Sequence, residues 1–349
     1  MDGFQECIWK TLSGASIYSR YRPSHNAEAT RRPLLVLLHG YPQNHMMWKE
    51  FVKGLPGDFG LVIPDLPGYG RSIKKPVPGS SHRAHSKKEW SIDIIEVLQH
   101  IHVLRGGGQD NLKLIVYGHD RGARLAYRMA LDAPSIVVGL AVLDIVPTPF
   151  MWARMSLSEE RHDETKKSHH WVFLASPDPL PERLIASQAE FYFSFTMKSW
   201  TGVTTLAACG IDGALAEWQR DSIAPFLTND QAAYDRISAA CEDYRAGSTV
   251  DVEDDLASGI DPEIFHHNKQ DAQSSQNERR IPIFSMPVLV LSSAFLRRRF
   301  PVDEIWKSLC ARNASTCLQI GDEGTGHFFV NEATEETLGA SIPWLAQFK

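Results

Sequence analysis

The stretch LIVYGHDRGARLAYR, residues 114–128, places an aspartate at the centre of Gly118-His119-Asp120-Arg121-Gly122. Small-x-nucleophile-x-small is the spacing of a nucleophile elbow, a strained strand-to-helix turn in which two glycines let the backbones approach. A serine at that centre attacks carbonyl carbon. An aspartate, with an ordinary pKa of about 3.9, is already an anion at neutral pH. It can displace a leaving group from an alkyl carbon and form an alkyl ester. Releasing that ester requires water and a base. Gly326-His327 follows the last apolar run, so His327 comes after the nucleophile in chain order and is the candidate base. Water activated by His327 would attack the ester carbonyl of Asp120. The backbone N–H groups of Arg121 and of Tyr41, in HGYPQ (39–43), are the candidate oxyanion donors.

An acid must orient His327 and stabilise its imidazolium. Asp144, in VLDIVPT after the apolar run that follows the elbow helix, is preferred. Its competitor Asp303 lies well beyond the run MPVLVLSS, with AFLRRRFPV between them. Arg121 and Arg124 are three apart at the start of the helix, so their side chains can share a face. Two guanidiniums beside a carboxylate nucleophile would lower its reactivity unless they served another anion. A substrate carboxylate matches their forked geometry. The substrate this chemistry implies is a small acid with its leaving group on the adjacent carbon.

Elements with the right punctuation surround these residues. Apolar runs at 33–40, 61–70, 112–120 and 137–147 predict buried parallel strands, and MPVLVLSS (286–293) and 315–324 predict two more. Helical spacing at 91–104, 123–134 and 332–347 alternates with them, the pattern of a doubly wound, mostly parallel α/β sheet. After Pro147 the pattern changes to aromatic, amphipathic segments. The expected organisation is a core of 1–147 and 281–349, a helical cap over 148–250, and a polar surface loop at 251–280.

Composition narrows the partners. The 349 residues include 43% hydrophobic and 22% charged, with a net charge of −6 and no long basic run, which argues against a nucleic-acid surface. Arg297-Arg298-Arg299 reads as a solvated face. No run approaches a membrane span, the opening MDGFQECIWKTLSG lacks the pattern of a secretory signal, and five cysteines follow no disulfide or zinc spacing. The expectation is a cytoplasmic protein with free thiols; pairing as a homodimer is left open. The route needs neither metal nor organic cofactor, and His169-His170 and His266-His267 are adjacent pairs, unlike the spacing that puts two ligands on one helix face.

GHDRGARLAYRMALDAP, HGYPQNHMMW, LDIVPT, HWVFLASPDPLPERLI, CEDYRAG and GHFFVNEATEET together resemble the haloacetate (fluoroacetate) dehalogenases of the α/β-hydrolase superfamily. The resemblance runs from about residue 33 to 335, cap included. It implies the α/β-hydrolase fold, with Asp120 as nucleophile, His327 as base and Asp144 as its partner. It further implies Arg121 and Arg124 as carboxylate ligands and a halide pocket of His170, Trp171 and Tyr244. Imidazole and indole N–H and phenol O–H groups are the donors that a departing halide needs. The chain departs from the pattern in its long 251–280 stretch, in LSSAF (291–295) without the usual glycine, in DLPGYGRS (65–72), and in His169. A rival reading is an epoxide hydrolase with the same nucleophile, in which Tyr244 and either Tyr192 or Tyr234 would serve as acids. Two arginines suit an uncharged epoxide poorly.

Overall fold

A computed structural model describes residues 1, 3–23, 32–77, 81–104, 108, 111–155, 162–209, 214–263 and 281–348. Among them eight strands form one sheet: β1 (Gln5–Lys10), β2 (Ser16–Arg22), β3 (Leu34–Leu38), β4 (Leu61–Pro64), β5 (Leu114–His119), β6 (Val137–Leu143), β7 (Val288–Ser293) and β8 (Ser315–Ile320). Their order is β1-β2-β4-β3-β5-β6-β7-β8. β1 and β2 pair antiparallel, as do β2 and β4, and every pairing from β4–β3 onward is parallel. The expected mostly parallel sheet is therefore present. The two antiparallel strands are additions to it: β1 is largely exposed and β2 mixes serine and arginine with its apolar residues, so neither shows a continuous apolar run.

The central strands are apolar at every position because both faces are covered. On β3, Leu34, Val36 and Leu38 pack with Trp90, Ile94 and Leu125, whereas Leu35 and Leu37 face Trp48, Phe51 and Tyr117. Each such side chain contributes roughly 1.5–3 kcal/mol on burial. The first face is covered by α1 (Lys87–Leu104) and by α2 (Arg121–Asp132), which starts directly after the elbow.

Between β6 and β7 the described residues contain helices and no strand. Those that matter for the site are α3 (Thr148–Arg154), α4 (His169–Leu174), α5 (Ala189–Trp200) and α6 (Gln231–Gly247). Their Leu174, Phe193, Met197, Ile237 and Tyr244 join the same apolar cluster as the sheet, so this segment is packed onto the core.

The stretch expected to be a surface loop begins otherwise. Val250–Ala257 is a helix, α7, with Asp251 and Asp255 buried. Asp251 accepts from the Lys87 N–H at 2.7 Å and Asp255 from the Tyr127 hydroxyl at 2.5 Å. Acidic composition misled here because donors of the core bond to each of these carboxylates. Residues 264–280, with His266 and His267, lie outside the described residues. No described helix is long and apolar enough to cross a membrane.

Candidate active site

The loops that carry the chemistry leave the carboxyl ends of parallel strands, where ligands bind in such sheets. Asp120 follows β5 with φ 48° and ψ −116°. For a residue with a Cβ that conformation costs on the order of 1–3 kcal/mol, so its surroundings must enforce it. Three glycines do so. A Cβ on Gly118 would stand 2.3 Å from the Gly122 carbonyl oxygen, one on Gly122 2.2 Å from that of His39, and one on Gly40 2.5 Å from the Asp120 Cβ. The turn closes only with glycine at these positions, and it lifts the Asp120 carboxylate clear of both backbones. Asp120 Oδ2 accepts the Tyr41 backbone N–H at 2.9 Å. The Arg121 N–H, the other expected oxyanion donor, opens α2, where helix geometry provides no intrahelical acceptor.

His327 Nε2 lies 3.9 Å from Asp120 Oδ1, and its Nδ1 donates to Asp144 Oδ2 at 2.6 Å. The other Asp144 oxygen accepts the Ser293 N–H at 2.7 Å. Burial disfavours a charge on His327, but the hydrogen bond and charge of Asp144, with Asp120 behind it, outweigh that effect and raise its pKa. Asp303 is not near this histidine in the bonding pattern; its carboxylate takes Arg297 Nη2 at 2.6 Å.

The backbone around His327 is tied down by groups that sequence reading missed. Its N–H donates to the Trp200 carbonyl and its carbonyl accepts from His119 Nε2, both at 2.8 Å. Burial, assisted by the neighbouring His327, pushes the His119 pKa down to about 4, so His119 stays neutral as this donor. The Glu332 carboxylate accepts the N–H groups of Gly202, Gly326 and Phe328 at 2.7, 3.2 and 3.1 Å. It thereby brackets His327 and joins its loop to the helical segment. In the sequence these residues are an x within the elbow, the end of an aromatic helix and one acid among several.

The two arginines do not share a role. Arg124, 2% exposed, lines a cavity of about 330 Å³ together with Asp120, Asp144, His170, Trp171, Trp200 and His327. Its Nη1 donates to the Val146 carbonyl and to Thr148 Oγ1, while its buried Nε has no hydrogen-bond partner among the described residues. Burial lowers its pKa, a cost that an anion beside it would offset. Arg121 is absent from that wall and fully buried. Its Nε and Nη2 grip the Asp243 carboxylate at 2.8 and 2.5 Å, leaving only Nη1 without a partner. Lys87 also pairs with Asp243, and Tyr69 donates to it at 2.8 Å. Although burial opposes it, Arg121 and Lys87 hold the Asp243 carboxyl well below the usual range. The i, i+3 spacing correctly put both arginines at the start of α2; the expectation that both guanidiniums are open to a ligand does not hold, because Asp243 already occupies one fork.

His170, Trp171 and Tyr244 come together. The His170 ring centroid lies 5.9 Å from that of Tyr244, and Trp171 lies 5.6 Å from the same ring. His170 and Trp171 line the cavity, whereas Tyr244, 1% exposed, stands behind them against Tyr41 and Arg121. Burial keeps the His170 pKa well below its ordinary value, and its Nδ1 has no partner among the described residues. Of the alternative tyrosines, Tyr192 meets the Tyr41 hydroxyl at 3.3 Å, and Tyr234 lines a separate cavity of about 950 Å³. The arginine run 297–299 is not uniformly solvated: Arg298 is exposed, but Arg299 lines the site cavity and pairs with Glu164.

A family model described as the α/β hydrolase fold matches residues 33–293. The chain is 31% identical over 311 residues to the fluoroacetate dehalogenase of Burkholderia sp, spanning 87% of this chain and 84% of that protein. It is 35% identical to the soluble epoxide hydrolase of Corynebacterium sp. (strain C12), but over 113 residues, 32% of this chain and 35% of the relative. Among solved structures, an α/β-hydrolase candidate from Nostoc sp PCC 7120 superposes with a TM-score of 0.73 at 31% identity over 98% of both chains. An elbow after β5, an acid after β6, a histidine after β8 and a family match from residue 33 to 293 converge on one conclusion: the chain belongs to the α/β-hydrolase fold family.

Proposed function

We propose that this hydrolase converts a small 2-haloacid, such as fluoroacetate or chloroacetate, to the 2-hydroxy acid. Asp120 Oδ1, the oxygen not held by Tyr41, attacks the carbon bearing the halogen; the C–O bond forms as the carbon–halogen bond breaks and halide departs. Arg124 holds the substrate carboxylate with its unpartnered Nε, while Arg121, held by Asp243 behind the cavity wall, adds positive charge at a distance. His170 and Trp171 receive the halide, with Tyr244 packed against both rings. His327 then takes a proton from water, and the resulting hydroxide adds to the Asp120 carboxyl carbon. The oxyanion rests on the N–H groups of Tyr41 and Arg121. Collapse releases the 2-hydroxy acid with an oxygen that had belonged to Asp120, and His327 returns its proton to solvent. Neither a metal nor an organic cofactor takes part in this route.

The observation that carries the reading is a buried guanidinium, Arg124, in the same small cavity as a carboxylate at the elbow. A cation so placed calls for a substrate anion next to the carbon that Asp120 attacks. Single turnover in ¹⁸O-water tests it. The first product molecule should carry unlabelled oxygen and Asp120 should retain the label; label in that first product with none in the protein would overturn the ester route.

Epoxide hydrolysis is the second reading, favoured by the similarity to the Corynebacterium enzyme and by Tyr244 near Asp120. It needs two tyrosines facing the cavity, and none of Tyr244, Tyr192 and Tyr234 lines it. Diol from a styrene-type epoxide, without halide from any haloacid, would favour it.

A further inference from the structure

Displacement at a tetrahedral carbon assigns three of its directions. Asp120 approaches from one side, the halogen leaves opposite toward His170 and Trp171, and the carboxylate points to Arg124. In a haloacetate the remaining substituents are hydrogens, and a site shaped for them would close around that carbon. This cavity does not close. At about 330 Å³ it has the volume of roughly ten waters at ~30 Å³ each, several times the space a two-carbon acid fills.

The excess space has a chemical character. Ile145 and Val146, directly after Asp144, form one wall with Met151 of α3; Phe295 and Leu296, on the helix Ala294–Arg299 after β7, form another. Ile145, Val146, Met151 and Leu296 are buried yet line the cavity. Val146 also provides the carbonyl that holds Arg124, so the apolar wall begins beside the carboxylate anchor. The one guanidinium on the far side, Arg299, is already paired: both Glu164 oxygens take its Nε, at 3.1 and 3.0 Å. Lys166 and Lys167 also line the cavity but are exposed, so a second substrate carboxylate would meet only solvent-screened charges there or have to displace Glu164.

Resting on the reading of the reaction given above, we propose that the substrate is a 2-haloacid with an apolar alkyl or aryl group on the reacting carbon, housed by Ile145, Val146, Met151, Phe295 and Leu296. Buried methylenes strengthen binding roughly fourfold each, which offsets the slower displacement at a more crowded carbon.

Halide release by the full chain from chloroacetate, 2-chlorobutyrate, 2-chloro-2-phenylacetate and chlorosuccinate tests this. The ethyl and phenyl acids should show kcat/KM about tenfold above chloroacetate, each for one enantiomer. Leu296→Trp should lower the ratio of phenyl acid to chloroacetate roughly tenfold, because added volume in that wall has nowhere else to go. A preference for chloroacetate, or a ratio indifferent to Leu296→Trp, would overturn the inference while leaving the dehalogenase reading intact. Chlorosuccinate as the best substrate would replace the apolar group by an anionic one and overturn it equally. Halide from none of the four would sink both readings. If the tryptophan variant does not fold, the ranking of the four acids by the unaltered chain decides.

Discussion

The loops at the carboxyl ends of the strands and the walls of the cavity beside them are built on opposite plans. In the loops the groups proposed to react are already bonded: Tyr41 to Asp120, Ser293 and His327 to Asp144, Trp200 and His119 to the backbone of His327. Donors set in place beforehand stabilise developing charge without reorganisation. The cavity side instead retains buried nitrogens with no partner among the described residues, Arg124 Nε and His170 Nδ1, beside bare apolar wall. An unmet buried donor costs about 1–3 kcal/mol until something accepts from it. On the proposed function, the difference teaches that reaction type and substrate choice are separable: the groups for one are bonded in the fold, and those for the other await a ligand.

Breaking the bonded side should have the largest effects. Asp120→Asn should lower halide release at least about 10⁴-fold, the scale seen when a covalent nucleophile is removed. His327→Asn should leave one burst of halide and then stop, with the acid retained on Asp120 as added mass; free steady-state turnover by this variant would remove His327 from its role. On the ligand side the loss should be smaller and of another kind. Arg124→Lys keeps the charge but loses the fork, so kcat/KM should fall roughly 10–100-fold, mostly through KM. Glu332→Ala sharpens the contrast, since Glu332 holds the backbone on both sides of His327 and ties it to Gly202. Ester hydrolysis should slow about tenfold while the halide burst keeps its rate; equal slowing of both steps would mean a general loss of structure.

Acidity gives the smallest effect. His327 must be neutral to take a proton, and its pKa is raised, so ester hydrolysis should fail as pH drops and its acid limb should lie above the ordinary imidazole value. Asp144→Asn should move that limb downward, because a hydrogen bond and a charge that favour the imidazolium are lost. An unmoved limb in this variant would separate Asp144 from the titration.

Much of the bonded side was legible in the chain. Glycine at 118 and 122 marks a close approach that only a strand-to-helix turn demands, and the apolar runs located the strands before Asp120, Asp144 and His327. Less could be read of the ligand side. Arg121 and Arg124 look equivalent three residues apart, yet Asp243 holds one and not the other. Trp200 and Glu332 act through contacts with residues more than a hundred positions away, His327 and Gly202 respectively, and no local pattern announces them.

Sequence alone determined where the chain turns sharply, which carboxylate sits at that turn, and the order in which Asp120, Asp144 and His327 follow their strands. Those properties follow from local sterics and from apolar periodicity, which act over a few residues. Which arginine lines the cavity, where the helix of 250–257 docks, and how large the cavity beside Asp120 is were decided only in the tertiary structure. Pairing and cavity volume depend on groups far apart in the chain, and their positions exist only once sheet and helices have packed.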